Sequence, residues 1–196
     1  MEMLKRNLNV DCEELVIVVD MVNGFCKEGA LASPSVMRVV PRQIEILEEY
    51  SNKENGQIIF IRDCHTKDSV EFKTFGEHCL EGTEEVEVID ELQRFINCEY
   101  LKNSTNFMFA PDFMNDIDKL KNLKKVLLMG VLSDRCDKDG GIGLKTYFNQ
   151  NNRDIEVAVL EDCCDTYSAP GHEADIVNEE SFKDMENAGI VRVKRR

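Results

Sequence analysis

The sequence has no tryptophan, only four prolines and three histidines, and no pair of cysteines spaced C-x-x-C. Without that spacing the eight cysteines, at 12, 26, 64, 79, 98, 136, 163 and 164, support neither a zinc ribbon nor a thioredoxin-like motif. Scattered thiols of this kind read as reduced and cytosolic, most of them small buried hydrophobes. Positive charge is also scarce, since 24 Lys and Arg against 38 Asp and Glu leave a net charge of −14. That field repels phosphate backbones, which argues against nucleic acid and anionic membranes as partners. The closing Val-Lys-Arg-Arg is too short to be more than a solvated end. Long apolar runs are missing as well: the longest, Leu15–Val19 and Val126–Met129 extended through Gly130 to Leu132, are strand-sized, and the opening MEMLKRNLNV has no apolar block. Neither a membrane span nor a signal peptide is expected.

What is present suits one compact domain over residues 1–196, with 42% hydrophobic residues to fill its core. Unbroken apolar runs without alternation mark strands buried on both faces, as in a parallel sheet. Such runs occur at Leu15–Val19, Gln57–Ile61, Glu99–Leu101, Lys125–Met129, Ile155–Leu160 and Ile190–Val193. Between them lie helical patterns at Pro41–Tyr50, Ile89–Phe95, Asp112–Leu120, Asp137–Asn149 and Glu173–Ala188, with Gly56 and Gly189 placed as helix C-caps. This alternation predicts an α/β fold: a three-layer, doubly wound, mostly parallel sheet of about six strands with helices on both faces.

In such sheets ligands bind beyond the carboxyl ends of the strands. The residues just past those ends are Asp20, then Asp63 with His65, then Lys102, then Ser133-Asp134 leading to Cys136, then Glu161-Asp162. A carboxylate, a lysine and a thiol on one edge are the parts of a cysteine nucleophile with its base and charged partner. Singly, each has a plain structural reading as a loop acid, a solvated charge and a core thiol. A helix opening at Cys136 would aim its positive end at the sulfur and lower its pKa. Two of the three histidines fall in one polar loop, where Asp63-x-His65 and the later His78 can present oxygen and imidazole ligands to a metal, with Glu71 as a fourth. The competing reading is a polar loop whose histidines cap carbonyls, and a thiolate site using Cys64 and Cys79 ranks lower. His172, after Pro170-Gly171, reads as structural.

The segments VIVVDMVNGF with Gly29-Ala30-Leu31, DCH followed by FGEHCLEGT, LKNSTNF, and GVLSDRC opening a helix stand in one order along nearly the whole chain. Together they resemble the isochorismatase-like cysteine hydrolases, and the pairing of Asp-x-His with His-Cys-x-x-Gly-Thr resembles the nicotinamidase/pyrazinamidase branch. The resemblance implies Asp20 as general base, Lys102 as its charged partner and Cys136 as nucleophile. It also implies a non-proline cis peptide at Val131–Leu132 and an oxyanion hole from the Leu132 and Cys136 amides. By the same resemblance Asp63, His65 and His78, with Glu71, hold one divalent metal, zinc first and iron or manganese as alternatives, while Phe25 and Phe75 flank a pyridine ring. The implied activity is hydrolysis of nicotinamide to nicotinate and ammonia, in the cytoplasm and in pyridine nucleotide salvage. The expected partner is a small amide, a homo-oligomer being compatible.

The chain also departs from the family. Val22 stands where many relatives have glutamine, Arg135 and Asp137 flank the nucleophile where relatives have apolar residues, and the second ring-flanking aromatic, commonly Trp, is Phe75. Alternatives are a relative acting on another small amide or ureido compound, isochorismatase itself, which is disfavoured because vinyl-ether hydrolysis needs no thiol, and a catalytically silent scaffold of the same fold.

Overall fold

The computed structural model describes residues 4–194. Six strands, β1 (Glu14–Val19), β2 (Gly56–Asp63), β3 (Glu99–Lys102), β4 (Lys125–Val131), β5 (Glu156–Asp165) and β6 (Val191–Val193), form one sheet in the order β3-β2-β1-β4-β5-β6. Every strand pair is parallel. The helices are α1 (Asn23–Cys26), α2 (Val40–Ser51), α3 (Phe72–Phe75), α4 (Asp90–Gln93), α5 (Phe113–Ile117), α6 (Cys136–Gln150) and α7 (Ala174–Asn187). From β1 the chain steps to β2 and β3 in one direction, then returns past β1 to β4 and runs outward the other way. Right-handed crossovers therefore put α2 and α4 on one face of the sheet and α5, α6 and α7 on the other.

The local causes are plain in the sequence. Leu15–Val19 and Ile59–Ile61 are at most 1% exposed, so these strands have no solvent face and their unbroken apolar runs follow. Pro41 sits in the first turn of α2, where a missing N–H costs nothing. Gly189, with φ +90°, ends the α7 segment as expected. Gly56 does not cap a helix: α2 stops at Ser51, a turn through Asn52 follows, and Gly56 is the first residue of β2, pressed against the Tyr50 carbonyl and Lys53. Two expected helices are shorter than their patterns, α4 and α5, because each flank tightens into turns. Of the expected solvated tail, Arg195 and Arg196 lie outside the described residues, while Lys194 approaches Glu161 at 3.5 Å. Among the described residues no helix is long and apolar enough to cross a membrane.

Two glycines let the layers approach. In α6 a Cβ at Gly140 would lie 2.1 Å from the Phe107 ring, so only glycine admits the turn after β3 against this helix. In β4, Gly130 has φ +146° and pairs with Val19, whose carbonyl would sit 2.1 Å from an added Cβ. The β4–β5 register shifts between Leu128 and Gly130, and this irregularity directs the end of β4 toward the turn that carries Cys136. Gly130→Ala should therefore lower the urea midpoint by the equivalent of about 3 kcal/mol or more, as strained backbone and overpacking add. Gly171→Ala, which has positive φ but open space around it, should cost only about 1–2 kcal/mol. Equal losses at the two positions would contradict the packing argument.

Candidate active site

The site forms where four strand ends meet. Asp20 follows β1 with φ +52°, an uncommon left-handed conformation that Asp tolerates better than most residues. Its amide donates to the Ile61 carbonyl at 2.9 Å and its carbonyl accepts from Val22 at 2.7 Å, so the side chain is fixed over the end of the sheet. Asp63 and Lys102 end β2 and β3 and stand opposite each other in the register. Cys136 is the first residue of α6, reached from β4 through a turn in which the Arg135 and Asp137 amides both donate to the Leu132 carbonyl, at 3.0 and 3.2 Å. The Val131–Leu132 peptide entering that turn is cis, as the resemblance implies.

These placements bring the expected residues together in the interior. Lys102 Nζ lies 2.8 Å from Asp20 Oδ2, 3.0 Å from Asp63 Oδ1 and 3.5 Å from Cys136 Sγ. Asp20 and Lys102 are buried and the Cys136 residue is only 5% exposed. Burial penalises the ammonium, but the charges of Asp20 and Asp63 outweigh it and hold the Lys102 pKa well above its ordinary value. Burial raises the Asp20 pKa to about 6, with Lys102 opposing that rise and Asp63 adding to it. Asp63 is the reverse case: burial pushes it up, yet the charge of Lys102 opposes this and the carboxyl is held well below the carboxylate range. The Cys136 thiol corrects an expectation. A helix does open at this residue, but burial and Asp20 outweigh Lys102 and raise the thiol pKa well above the ordinary value, so the resting sulfur carries its proton.

Beyond Lys102, Asp63 Oδ2 faces the imidazoles of the loop. It lies 3.0 Å from His65 Nε2 and 3.4 Å from His78 Nε2, and those two nitrogens are 3.1 Å apart. His78 Nδ1 is 2.9 Å from the Gly76 carbonyl, which can only accept, so its proton belongs on Nδ1. His65 Nδ1 is 2.7 Å from Asn103 Oδ1, which favours the same tautomer. Two imidazole lone pairs and a carboxylate oxygen then point into one small space, an arrangement that repels itself without a cation. The donor set fits a divalent metal, with outer hydrogen bonds orienting both rings as metal-binding histidines require. Glu71, expected as a further ligand, stands outside this trio. One of its oxygens accepts from the Thr105 amide at 3.0 Å, and the other is 3.8 Å from His65 Nε2.

Phe25 and Phe75 both border the trio, their ring centres 5.7 and 6.5 Å from that of His78. Sequence reasoning missed Phe72, at 5.8 Å from His78 and 5.3 Å from His65, and missed Asn103 and Ser69 as partners of His65. Phe72 was legible as the second phenylalanine, beside Phe75, of the His65–His78 loop. His172 has the structural placement expected of it, stacked on Tyr167 at 3.9 Å and within 3.2 Å of Asp134, which also accepts from Thr166 Oγ1 at 2.6 Å. Arg135 lies with its guanidinium 6.0 Å from the Phe75 ring centre.

Comparisons with known proteins bear on the family and the fold. A family model described as the isochorismatase domain matches residues 14–186. The chain is 26% identical over 204 residues to Nicotinamidase 1 of Arabidopsis thaliana, covering 88% of this chain and 82% of that protein. Among solved structures it is similar to an isochorismatase-like hydrolase from Alkaliphilus metalliredigens, with a TM-score of 0.77, 20% identity and coverage of 93% and 95% of the two chains. It is also similar to a pyrazinamidase of Pyrococcus horikoshii in complex with zinc, with a TM-score of 0.73, 22% identity and coverage of 93% and 99%.

Removing the ammonium leaves two buried carboxylates facing each other. Lys102→Met should therefore cost about 3–5 kcal/mol in chemical denaturation, and adding Asp20→Asn should restore part of that loss. Simple additivity of the two changes would mean that the pair is not coupled.

Proposed function

The chain belongs to the isochorismatase family and is an amidohydrolase, and we propose that within this class it is a metal-dependent nicotinamidase converting nicotinamide to nicotinate and ammonia. The observation that carries the reading is the position of Lys102 Nζ, which touches Asp20 and approaches Cys136 on one side while holding Asp63 of the histidine trio on the other. A reacting carbonyl over the thiol and a ring held at the trio then belong to one small planar substrate.

The chemistry follows from the protonation states. Cys136 rests as a thiol and Asp20, with a pKa raised to about 6, is ionised at neutral pH, so the carboxylate can take the thiol proton as sulfur attacks the carboxamide carbon. The ammonium of Lys102 keeps Asp20 oriented and offsets the negative charge passed between oxygen and sulfur. The Leu132 and Cys136 amides receive the developing oxyanion at the start of α6. Asp20 returns its proton to the leaving ammonia, then takes one from the water that hydrolyses the thioester. Asp63, His65 and His78 would hold the metal, with Glu71 beside them, and a zinc ion there, or iron or manganese in its place, would act as a Lewis acid toward the ring nitrogen. Phe25 and Phe75, whose rings both lie beside His78, would offer apolar faces to a flat aromatic amide.

Four outcomes test this reading. Ammonia should be released from nicotinamide, and Cys136→Ser should abolish release while leaving the melting temperature near that of the parent protein. The acid limb of kcat/KM should fall tenfold per unit as pH drops below about 6, because a protonated Asp20 cannot accept the thiol proton; a profile flat to pH about 4 would remove Asp20 as the base. Elemental analysis should find one transition metal per chain, lost on replacing His65 and His78 by Ala. Benzamide, which lacks the ring nitrogen, should bind more weakly than nicotinamide to metal-loaded protein only. Equal binding of the two amides would exclude the ring–metal contact while leaving the cysteine chemistry standing.

A further inference from the structure

Glu85 takes no part in the mechanism above, yet one of its carboxylate oxygens, Oε2, accepts from the Cys79 amide at 2.8 Å. That N–H belongs to the peptide joining His78 to Cys79, so whatever fixes it also fixes the backbone from which the His78 ring projects. Cys79 is completely buried and has φ +44°, a conformation that residues other than glycine keep only where their surroundings over-determine it. Its two backbone polar groups show how that is done. The N–H goes to Glu85, and the carbonyl accepts from the His65 amide at 2.8 Å, while the His65 carbonyl accepts from the Glu81 amide at 2.9 Å. Cys79 is thus the backbone link between the two histidines of the trio. Glu85 is held in its turn. It belongs to the helical turn Glu84–Val86, where the Glu84 carbonyl accepts from Asn23 Nδ2 at 3.1 Å, and just beyond it the Glu87 carbonyl accepts from the Asn23 amide at 2.9 Å. A Cβ at Gly24 would stand 2.7 Å from Cys79 Sγ and 3.1 Å from Glu85 Cβ, so α1, Cys79 and Glu85 pack without slack.

We propose that Glu85 is a positioning residue of the metal trio: by binding the Cys79 amide it sets the His78–Cys79 peptide so that His78 faces Asp63 and Cys79 receives His65. The need for it follows from the charges. Two imidazole lone pairs and an ionised carboxylate repel one another until a cation arrives, so the loop has to be held by contacts that do not use the ligands themselves. The Glu85 hydrogen bond is such a contact, made by a carboxylate and reaching the loop from a turn anchored on α1. Without it the Cys79 N–H is a buried donor lacking its partner, and the peptide is free to rotate to find another. Rotation would carry the His78 ring away from His65 and Asp63 and loosen the Cys79 carbonyl from the His65 amide. The loss falls on metal affinity and not on the proton transfer between Asp20 and Cys136.

The test reads the metal site itself. The full chain and its Glu85→Ala, Glu85→Met and Glu85→Gln variants are freed of metal and titrated with zinc in competition with a chromophoric chelator. Ala and Met remove the acceptor, Met keeping the length of the side chain, whereas Gln removes the charge but keeps an oxygen for the Cys79 amide. Zinc affinity should fall about tenfold or more in the Ala and Met variants and stay within about threefold of the parent in the Gln variant. Cobalt loaded in place of zinc should give the Gln variant the visible spectrum of the parent and the other two an altered one. A role in packing alone would lower the melting temperature of the Ala and Met variants and leave both readouts unchanged. Parent-like zinc affinity in the Ala and Met variants would overturn the proposal. So would a Gln variant as weak as those two, since the charge and not the hydrogen bond would then be at work. If either the Ala or the Met variant does not fold, the other carries the comparison. The proposal rests on the metal reading of the trio and not on nicotinamide as substrate: a parent chain that binds no zinc would remove both the reading and the proposal, whereas a tight-binding parent with unchanged variants would remove the proposal alone.

Discussion

A lysine ammonium between two carboxylates, with a thiol at its edge, is the constraint on which the rest of this molecule depends. Lys102 Nζ sits within 3.0 Å of both Asp20 and Asp63, and all three side chains are almost wholly shielded from water. Taking three charged groups out of solvent costs several kcal/mol for each, and the attraction between them repays it only in good geometry. An apolar cluster of equal volume would stabilise the fold at least as well. The arrangement is therefore explained by what it does to proton affinities: it raises Asp20, depresses Asp63 and leaves the Cys136 proton within reach of a base.

The sheet is what makes that cluster affordable to position. Four consecutive strands in the order β3-β2-β1-β4 end in Lys102, Asp63, the approach to Asp20 and the turn before Cys136. Parallel pairing sets these ends side by side because every strand runs the same way, and the β1–β2 and β2–β3 registers leave little room for slippage. Gly130 and Gly140 complete the placement by letting β4 approach Val19 and α6 approach Phe107. Catalytic geometry and tight layer packing are thus the same constraint expressed at two length scales.

Much of this was readable from the chain. The six runs correspond to the six strands; for β1, β2 and β4 the reason is burial on both faces, which demands continuously apolar residues, while the half-exposed edge strand β6 was marked only by its short β-branched run after Gly189. Asp20, Asp63, Lys102 and Cys136 could be picked out before any contact was known, since strand ends on one edge of a parallel sheet converge whatever the family. What sequence could not supply was the environment of each group. The helix start at Cys136 suggested an acidic thiol, yet its burial reverses the sign. Glu71 lay at a plausible spacing for a ligand; one of its oxygens accepts from the Thr105 amide while the other stays 3.8 Å from His65 Nε2, a division that spacing alone does not give. Asn103 and Ser69 were invisible as site residues for the same reason: their roles depend on how the loop folds back. Gly56 read as a helix cap because the turn after α2 is longer than a cap requires.

The thiols show why environment rather than composition decides reactivity here. Burial pushes Cys12, Cys26 and Cys163 up to about 12 and raises Cys79 and Cys164 as well, which makes these sulfurs inert. Cys136 shares their burial and their raised pKa, so neither exposure nor intrinsic acidity sets it apart. The difference is the company it keeps. It alone among these buried thiols has an ammonium at 3.5 Å and an ionisable carboxylate attached to that ammonium. A proton can therefore leave the sulfur for Asp20 while the moving negative charge stays beside Lys102. The Cys163 sulfur also reaches a carboxylate, Asp162 Oδ1 at 3.8 Å, but without the Lys102 ammonium beside it. Nucleophilicity in this molecule is a property of the proton's destination, and the sheet edge is the place where the fold provides one.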